Sequence, residues 1–131
     1  MDNSPFKHTV NIDLSIVIVS FNTKKLLLQC LESVQKHTTG LASEIFVVDN
    51  ASKDGSADAV SERFPKVQLI RNLKNRGLSA ADNQAFIKSR GRYIVHQSSD
   101  TILVENSFLK IVQFLDENHE FSVLSPKIIN E

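Results

Sequence analysis

The 131-residue chain has no clustered glycines, no excess of either charge, a single cysteine and no long apolar run, and each absence removes a class of function. Gly40, Gly55, Gly77 and Gly91 stand far apart and form no G-x-G, so the usual dinucleotide fingerprint and the glycine-rich phosphate loop are both missing. Cys30 has no second cysteine to pair with, and His8, His37, His96 and His119 are scattered, so nothing supports a structural zinc site. Cys30 falls in helical step with Leu27, Leu31 and Val34, which reads as a buried structural thiol. Fifteen basic residues balance fifteen acidic ones, which argues against a general nucleic-acid or anionic-membrane binder. The longest apolar runs, residues 16–19 and 45–48, are too short to span a bilayer, and residues 1–13 carry no signal-peptide core. These features predict a soluble, cytoplasmic protein without a transmembrane segment.

An apolar content of 41% against 23% charged residues is that of a globular chain, and the length allows one domain. After a polar, frayed lead-in over residues 1–13, strand and helix signals alternate. Strands are expected at 14–20, 45–48, 67–70 and 92–97. Helices are expected at 24–37, 56–64, 78–90 and 106–118, with Thr23 and Ser56 as N-caps and Gly40, Pro65 and Gly91 as stops. A fifth strand is expected at 121–124. The alternation defines an α/β class with a mostly parallel sheet.

The most informative stretch is Ile45 to Ser56. Four apolar residues, the signature of a strand buried on both faces, run directly into Asp49-Asn50-Ala51-Ser52-Lys53-Asp54-Gly55-Ser56. Parallel sheets bind ligands beyond the carboxyl ends of their strands. Asp49 is therefore either at the lip of a ligand site or part of an ordinary strand-to-helix turn, while Asp54 reads as a turn or cap residue. The other strand ends are equally polar: Ser20, Phe21 and Asn22; Arg71, Asn75 and Arg76; Ser98 and Asp100. His96 sits near the last of these and serves either a ligand or local structure. An aromatic ring can pack on a base, a carboxylate can accept a base N–H, arginines can meet a diphosphate, and a second carboxylate can hold a divalent cation. Together they describe a nucleotide-diphosphate site without a glycine loop.

Four segments carry a family resemblance. Ser15 to Asn22, Val47 to Ser56, Arg71 to Asn83, and Gly91 to Thr101 resemble, in order and spacing, the motifs of family 2 glycosyltransferases; the second, close to V-D-[DN]-[GA]-S-x-D-G-[ST], is the most specific. The chain is similar to the amino-terminal, nucleotide-sugar-binding half of that family. The resemblance implies a GT-A, Rossmann-like three-layer fold over residues 14–131, truncated after about five strands. It implies nucleotide-sugar contacts at Ser20, Phe21, Asn22, Asp49, Asn50, Asn75, Arg76, Gly77 and Ser98, and Mg²⁺ or Mn²⁺ at Asp100. Within that set Phe21 would flank the base and Asp49 would bond it. The donor would be a UDP-, GDP- or dTDP-sugar. The reaction would be inverting transfer to the hydroxyl of a glycan or lipid-linked glycan in bacterial surface-polysaccharide synthesis, in the cytoplasm or peripherally at the inner face of the membrane.

Two departures qualify the resemblance. Ser98 stands where the family usually places Asp or Asn, and His96 and Gln97 replace apolar residues. The family also takes its general base from a second half that these residues do not contain. Glu105, Asp116, Glu117 and Glu120 read as solvated helix surface rather than as that base. The expected role is therefore donor binding. The alternative is a non-catalytic GT-A remnant acting as an assembly module; a flavodoxin- or receiver-like domain fits less well, because Phe21-Asn22-Thr23 lacks a receiver's paired acids.

Overall fold

A computed structural model describes residues 11–129. Along them run β1 (Leu14–Ser20), α1 (Lys24–His37), β2 (Ser43–Asp49), α2 (Ser56–Arg63), β3 (Gln68–Arg71), α3 (Leu78–Phe86), β4 (Tyr93–Ser98) and α4 (Ser107–Glu117). The four strands are parallel and ordered β3-β2-β1-β4. Strand side chains alternate between faces, and both faces of the central pair are apolar, so the sheet is covered on both sides. On one face Leu14, Ile16, Ile18 and Val47 meet Leu27, Leu31 and Val34 of α1, Val60 of α2, and Phe108 and Val112 of α4. On the other, Val17, Phe46 and Val48 meet Ala81 and Ala85 of α3, whose small side chains let the helix lie close to the strands. The result is three layers, as the resemblance implies, around the parallel sheet that the alternation predicts.

Polar anchors lock the amino edge of the sheet. Glu44 Oε1 accepts from the Ser15 hydroxyl and the Arg90 amide, each at 2.7 Å. Its Oε2 accepts from Gln68 Nε2 at 3.1 Å and Arg90 Nη2 at 3.0 Å. Burial acts to raise the Glu44 pKa, but the bonds from Arg90 and Ser15 outweigh it, and the carboxyl lies below its ordinary range. Gly91 passes so near β1 that an added Cβ would sit 2.4 Å from the Ser15 amide nitrogen. Of the polar lead-in, residues 1–10 lie outside the described residues. Ile12 and Asp13 are held by the sheet's own pattern, the Ile12 carbonyl accepting from the Arg92 amide at 2.9 Å and the Asp13 amide donating to the Ala42 carbonyl at 2.7 Å.

The expected fifth strand is absent among the described residues. Residues 121–124 are irregular and join no strand, with Val123 exposed; Phe121 packs its ring 5.5 Å from that of Phe114. Helix α3 ends at Phe86, short of residue 90. Its last turn tightens into i−3 bonds, Lys88 to the Ala85 carbonyl (3.0 Å) and Ser89 to the Phe86 carbonyl (3.2 Å). Strand β4 is paired with β1 alone, leaving its other edge open among the described residues, and Ile94 on it is half exposed.

Two outcomes follow from these contacts. Gly91→Ala should cost about 1–3 kcal/mol or more, read from urea unfolding, since two of the atoms it would strike, the Ser15 nitrogen and the Leu14 carbonyl carbon, are backbone. At the far side of β4, Arg92 and the Tyr93 hydroxyl both donate to Asp116 and hold its carboxyl down from 3.8 to about 2. A lowered folded-state pKa gives stability that is present above the unfolded value and lost as pH falls through the folded one. Thermal unfolding should therefore lose stability between pH 3.8 and about 2 in part through this group, and Arg92→Gln should reduce that acid slope.

Candidate functional site

The register brings the polar strand ends to one edge. Ser20 lies opposite Asp49, Asp49 opposite Arg71, and Val19 opposite Ser98, so all four strands stop nearly level. The β1–α1 and β2–α2 turns are stitched together there. Asn22 and Ala51 both adopt left-handed backbone, with φ of 54° and 69°. The Asn22 side-chain carbonyl accepts from the Lys53 amide at 2.8 Å, and the Asn22 amide donates to the Ser52 hydroxyl oxygen at 2.9 Å. Phe21 at the crest of the first turn is 47% exposed, an unusual position for a phenylalanine with a core nearby to fill.

Asp54 caps two helices at once. Its Oδ2 accepts from the Lys24 amide at the start of α1 (2.8 Å), and its Oδ1 accepts from the Ser56 amide at the start of α2 (3.0 Å) and from the Ser56 hydroxyl. Desolvation opposes ionisation, but these bonds prevail and the Asp54 pKa is lowered. The expected caps are thus displaced. Thr23 occupies the N-cap position of α1 without capping it, and Gly55, not Ser56, precedes α2. The Thr23 hydroxyl instead bonds Ser20 Oγ (2.9 Å) and Ser99 Oγ (3.2 Å), tying the end of β1 to the end of β4.

Asn50 builds the next wall. Its side chain is buried and uses every polar valence inside the chain. The carbonyl accepts from the Arg76 amide (2.9 Å) and Asn72 Nδ2 (3.1 Å), and the amide donates to Asn75 Oδ1 (2.9 Å) and the Gly77 carbonyl (3.3 Å). Asn75 Oδ1 also receives the Gly77 amide at 2.9 Å, and Gly77 takes φ 79°, which a glycine allows. The Asn75-Arg76-Gly77 turn is therefore shaped by Asn50 across the sheet edge. Arg71 is not part of this wall: its guanidinium binds Asp58 Oδ1 (2.6 Å) and Ser61 Oγ (3.0 Å) on α2, which removes it from the expected diphosphate contacts. Asn72 and Gln84, which exchange two side-chain bonds of 2.8 and 2.9 Å, complete the support and give no signal in sequence beyond their polarity.

Two carboxylates remain. Asp49 is 3% exposed; Oδ2 accepts from the Ser52 amide at 3.1 Å, while Oδ1 is buried with no hydrogen-bond partner among the described residues. Leaving a buried acceptor unmatched costs about 1–3 kcal/mol. Asp100 is exposed beyond β4, and its Oδ1 accepts from the Ser98 hydroxyl. The turn that presents it is closed by Thr101, whose amide and hydroxyl both donate to the Ser98 carbonyl, at 3.2 and 2.8 Å. His96 lies on the α3 side of β4, its Nε2 3.3 Å from Asp82 Oδ1 but not aligned for a hydrogen bond. Burial raises the Asp82 pKa against the pull of His96. Cys30, buried beneath the Ser98 carbonyl, has its thiol pushed up to about 11 by desolvation, as an unreactive core cysteine should. A 540 Å³ hollow opens at the opposite, amino edge, but Glu44 there is already fully bonded.

Known proteins share this architecture. Staphylococcus aureus TarS 1–349 superimposes with a TM-score of 0.73 at 23% identity, over 82% of this chain and 33% of that one. The mannosyltransferase PcManGT from Pyrobaculum calidifontis, solved with GDP-Man and Mn²⁺, gives 0.70 at 24%, over 82% and 33%. The fold is that of the GT-A glycosyltransferases. The sequence model of glycosyl transferase family 2 matches residues 15–131, and the chain belongs to that family. Among its relatives are the glycosyltransferase GlyG of Streptococcus pneumoniae, 31% identical over 79% of this chain and 35% of GlyG, and the poly(ribitol-phosphate) beta-glucosyltransferase of Bacillus spizizenii, 31% identical over 80% and 17%. The minor teichoic acid biosynthesis protein GgaB of Bacillus subtilis is 26% identical over 82% and 12%. The chain thus spans about a third or less of these three relatives. Among the described residues no helix is long and apolar enough to cross a membrane.

The bonding around Asn50 yields a direct test. In Asn50→Asp the side chain keeps its shape but turns an acceptor toward Asn75 Oδ1 and the Gly77 carbonyl. Turning the Asn75 amide over would satisfy one of these and break its bond with the Gly77 amide. The variant should lose about 2–4 kcal/mol in denaturant unfolding, two buried bonds being replaced by repulsion.

Proposed function

We propose that this chain is the donor-binding part of a family 2 glycosyltransferase, taking a nucleotide-diphosphate sugar together with a divalent cation. The observation that carries the reading is Asp49 Oδ1, a buried carboxylate oxygen without a donor at the edge where four strands end. A base N–H supplied by a bound nucleotide would satisfy it. Phe21, exposed beside it, offers a ring for the base to pack on. The Asn75-Arg76-Gly77 turn would border the base and diphosphate, and Arg76, whose side chain has no partner among the described residues, supplies positive charge there. Ser20, Asn22 and Asn50 would act through the backbone they hold rather than through direct contact, since their side chains are engaged within the chain.

Asp100 fits a divalent cation in one limited sense. It is exposed, one of its oxygens is without a partner among the described residues, and Ser98 adds a hydroxyl; Mg²⁺ sites commonly use one or two carboxylates and leave the rest to phosphates and water. A bound Mg²⁺ or Mn²⁺ would offset charge on the departing diphosphate. The solved neighbours were crystallised with UDP, with UDP-GlcNAc, and with GDP-Man and Mn²⁺, which supports a nucleotide sugar as the ligand class. The relatives GgaB, a minor teichoic acid biosynthesis protein, and ExoO of Rhizobium meliloti, a succinoglycan biosynthesis protein, support a surface-polysaccharide acceptor. Inverting transfer needs a base for the acceptor's proton. Asp116 and Glu105 are committed to Arg92 and Lys110, and the reading gives residues 11–129 donor binding and assigns no base among them.

Titration calorimetry with UDP, GDP and dTDP, each with and without Mn²⁺, tests the assignment. At least one nucleotide should bind. Asp49→Ala should weaken binding about tenfold or more whether or not Mn²⁺ is present, whereas Asp100→Ala should weaken only the Mn²⁺-dependent part. No heat with any nucleotide from a folded sample would overturn the reading and favour an assembly module.

A further inference from the structure

Among the described residues two side-chain atoms are buried without a hydrogen-bond partner, and both are carboxylate oxygens. Asp49 Oδ1 is accounted for by the donor-binding reading. Asp82 Oδ1 is not. Asp82 stands in the second turn of α3 and is 8% exposed. Its neighbour is His96, which lies on β4 two residues before that strand ends. Desolvation raises the Asp82 pKa, so a carboxyl group sits where burial disfavours its charge and no donor compensates it. The His96 ring does not supply that donor: Nε2 stands 3.3 Å from Oδ1, yet the two are not aligned for a hydrogen bond.

An imidazole nitrogen and a carboxylate oxygen held side by side in this way suit a third atom bonded to both. In a tetrahedral zinc site with bonds of about 2.0–2.1 Å, neighbouring ligand atoms are about 3.3 Å apart. Neutral imidazole and carboxylate are both ordinary Zn²⁺ ligands, whereas Mg²⁺ takes oxygen. The His96 side chain is 43% exposed, which leaves the remaining coordination positions open to water. Among the described residues no three His, Cys, Asp or Glu side chains gather, so this is not the closed structural zinc site that the scattered histidines argue against.

We propose that Asp82 and His96 form an open, two-ligand site for Zn²⁺ on the α3 side of β4, separate from the nucleotide edge, with water completing the coordination. The ion supplies the positive charge that Asp82 Oδ1 lacks and ties α3 to the outer strand of the sheet. The competing account is a plain ion pair between the same two side chains, which serves the fold without metal.

Titration of the protein with Zn²⁺ in competition with a chromophoric chelator, with no nucleotide present, tests the proposal; thermal unfolding is the second readout. A single Zn²⁺ per chain should bind, and Tm should rise by about 2 °C or more at saturating metal. His96→Gln, a change at a half-exposed side chain, should weaken binding about tenfold or more and abolish the rise in Tm. Asp82→Asn should do the same, while its metal-free Tm should be no lower than that of wild type, because the change removes a buried charge. His37→Ala and His119→Ala should bind Zn²⁺ as wild type does. Absence of Zn²⁺ uptake overturns the proposal, and so does uptake that survives His96→Gln. A lower metal-free Tm in both His96→Gln and Asp82→Asn, with no response of the wild type to Zn²⁺, overturns it in favour of the ion pair. If Asp82→Asn does not fold, His96→Gln still decides.

Discussion

The pairing of β1 with β2, residue for residue from Leu14–Ser43 to Ser20–Asp49, is the constraint on which the rest of the structure depends. Both strands are apolar on both faces, so a slip of one residue would exchange the faces of every side chain and move Phe46 away from Ala81 and Ala85. With that register fixed, the chain leaves the sheet at the same height on both strands. Only then can the Asn50 amide nitrogen donate to the Ser20 carbonyl at 2.8 Å, and the two following turns exchange the bonds between Asn22, Ser52 and Lys53. The site edge is a consequence of how the core pairs.

At that edge most polar residues serve geometry, and few are left over for chemistry. Asn50 spends its whole amide on Asn72 and the Asn75–Gly77 turn; Asp54 spends its carboxylate on two helix ends; Ser20, Thr23 and Ser99 bond one another. Against this background the residues with unused capacity stand out: the buried Asp49 oxygen, the exposed Phe21 ring, the Arg76 side chain and the outer Asp100 oxygen. The division matters for mutagenesis at this edge. Losing an engaged residue deforms the wall, whereas losing the Phe21 ring or the Arg76 side chain leaves it in place; Asp49 and Asp100 are half-engaged, through Ser52 and Ser98.

Much of this was legible in the chain itself. Apolar runs that break abruptly into Asp-Asn or Ser-Asp place strand ends, and the alternation with helices fixes a parallel sheet, so Asp49, Ser98 and Asp100 are found by local pattern alone. What local pattern cannot supply is which neighbour claims a side chain. Arg71 looks available for a diphosphate until α2 brings Asp58 and Ser61 against it. Thr23 looks like a cap until Asp54, 31 residues later in sequence, reaches the Lys24 amide first. Residues 121–124 have strand composition, but a strand exists only where it pairs, and they join no edge of the sheet.

The open edge of β4 bears on how the protein behaves when concentrated. Tyr93-Ile94-Val95-His96-Gln97-Ser98 contains no proline, no glycine and no side chain with a permanent charge, and one row of its backbone amides and carbonyls faces outward without a strand to receive it among the described residues. Natural edge strands are usually guarded by lysine, proline or a bulge, and an unguarded one is a template for edge-to-edge self-association. With Ile94 half exposed on the same strand, β4 is an edge among the described residues where self-association is expected, and where another stretch of polypeptide laid alongside would protect it.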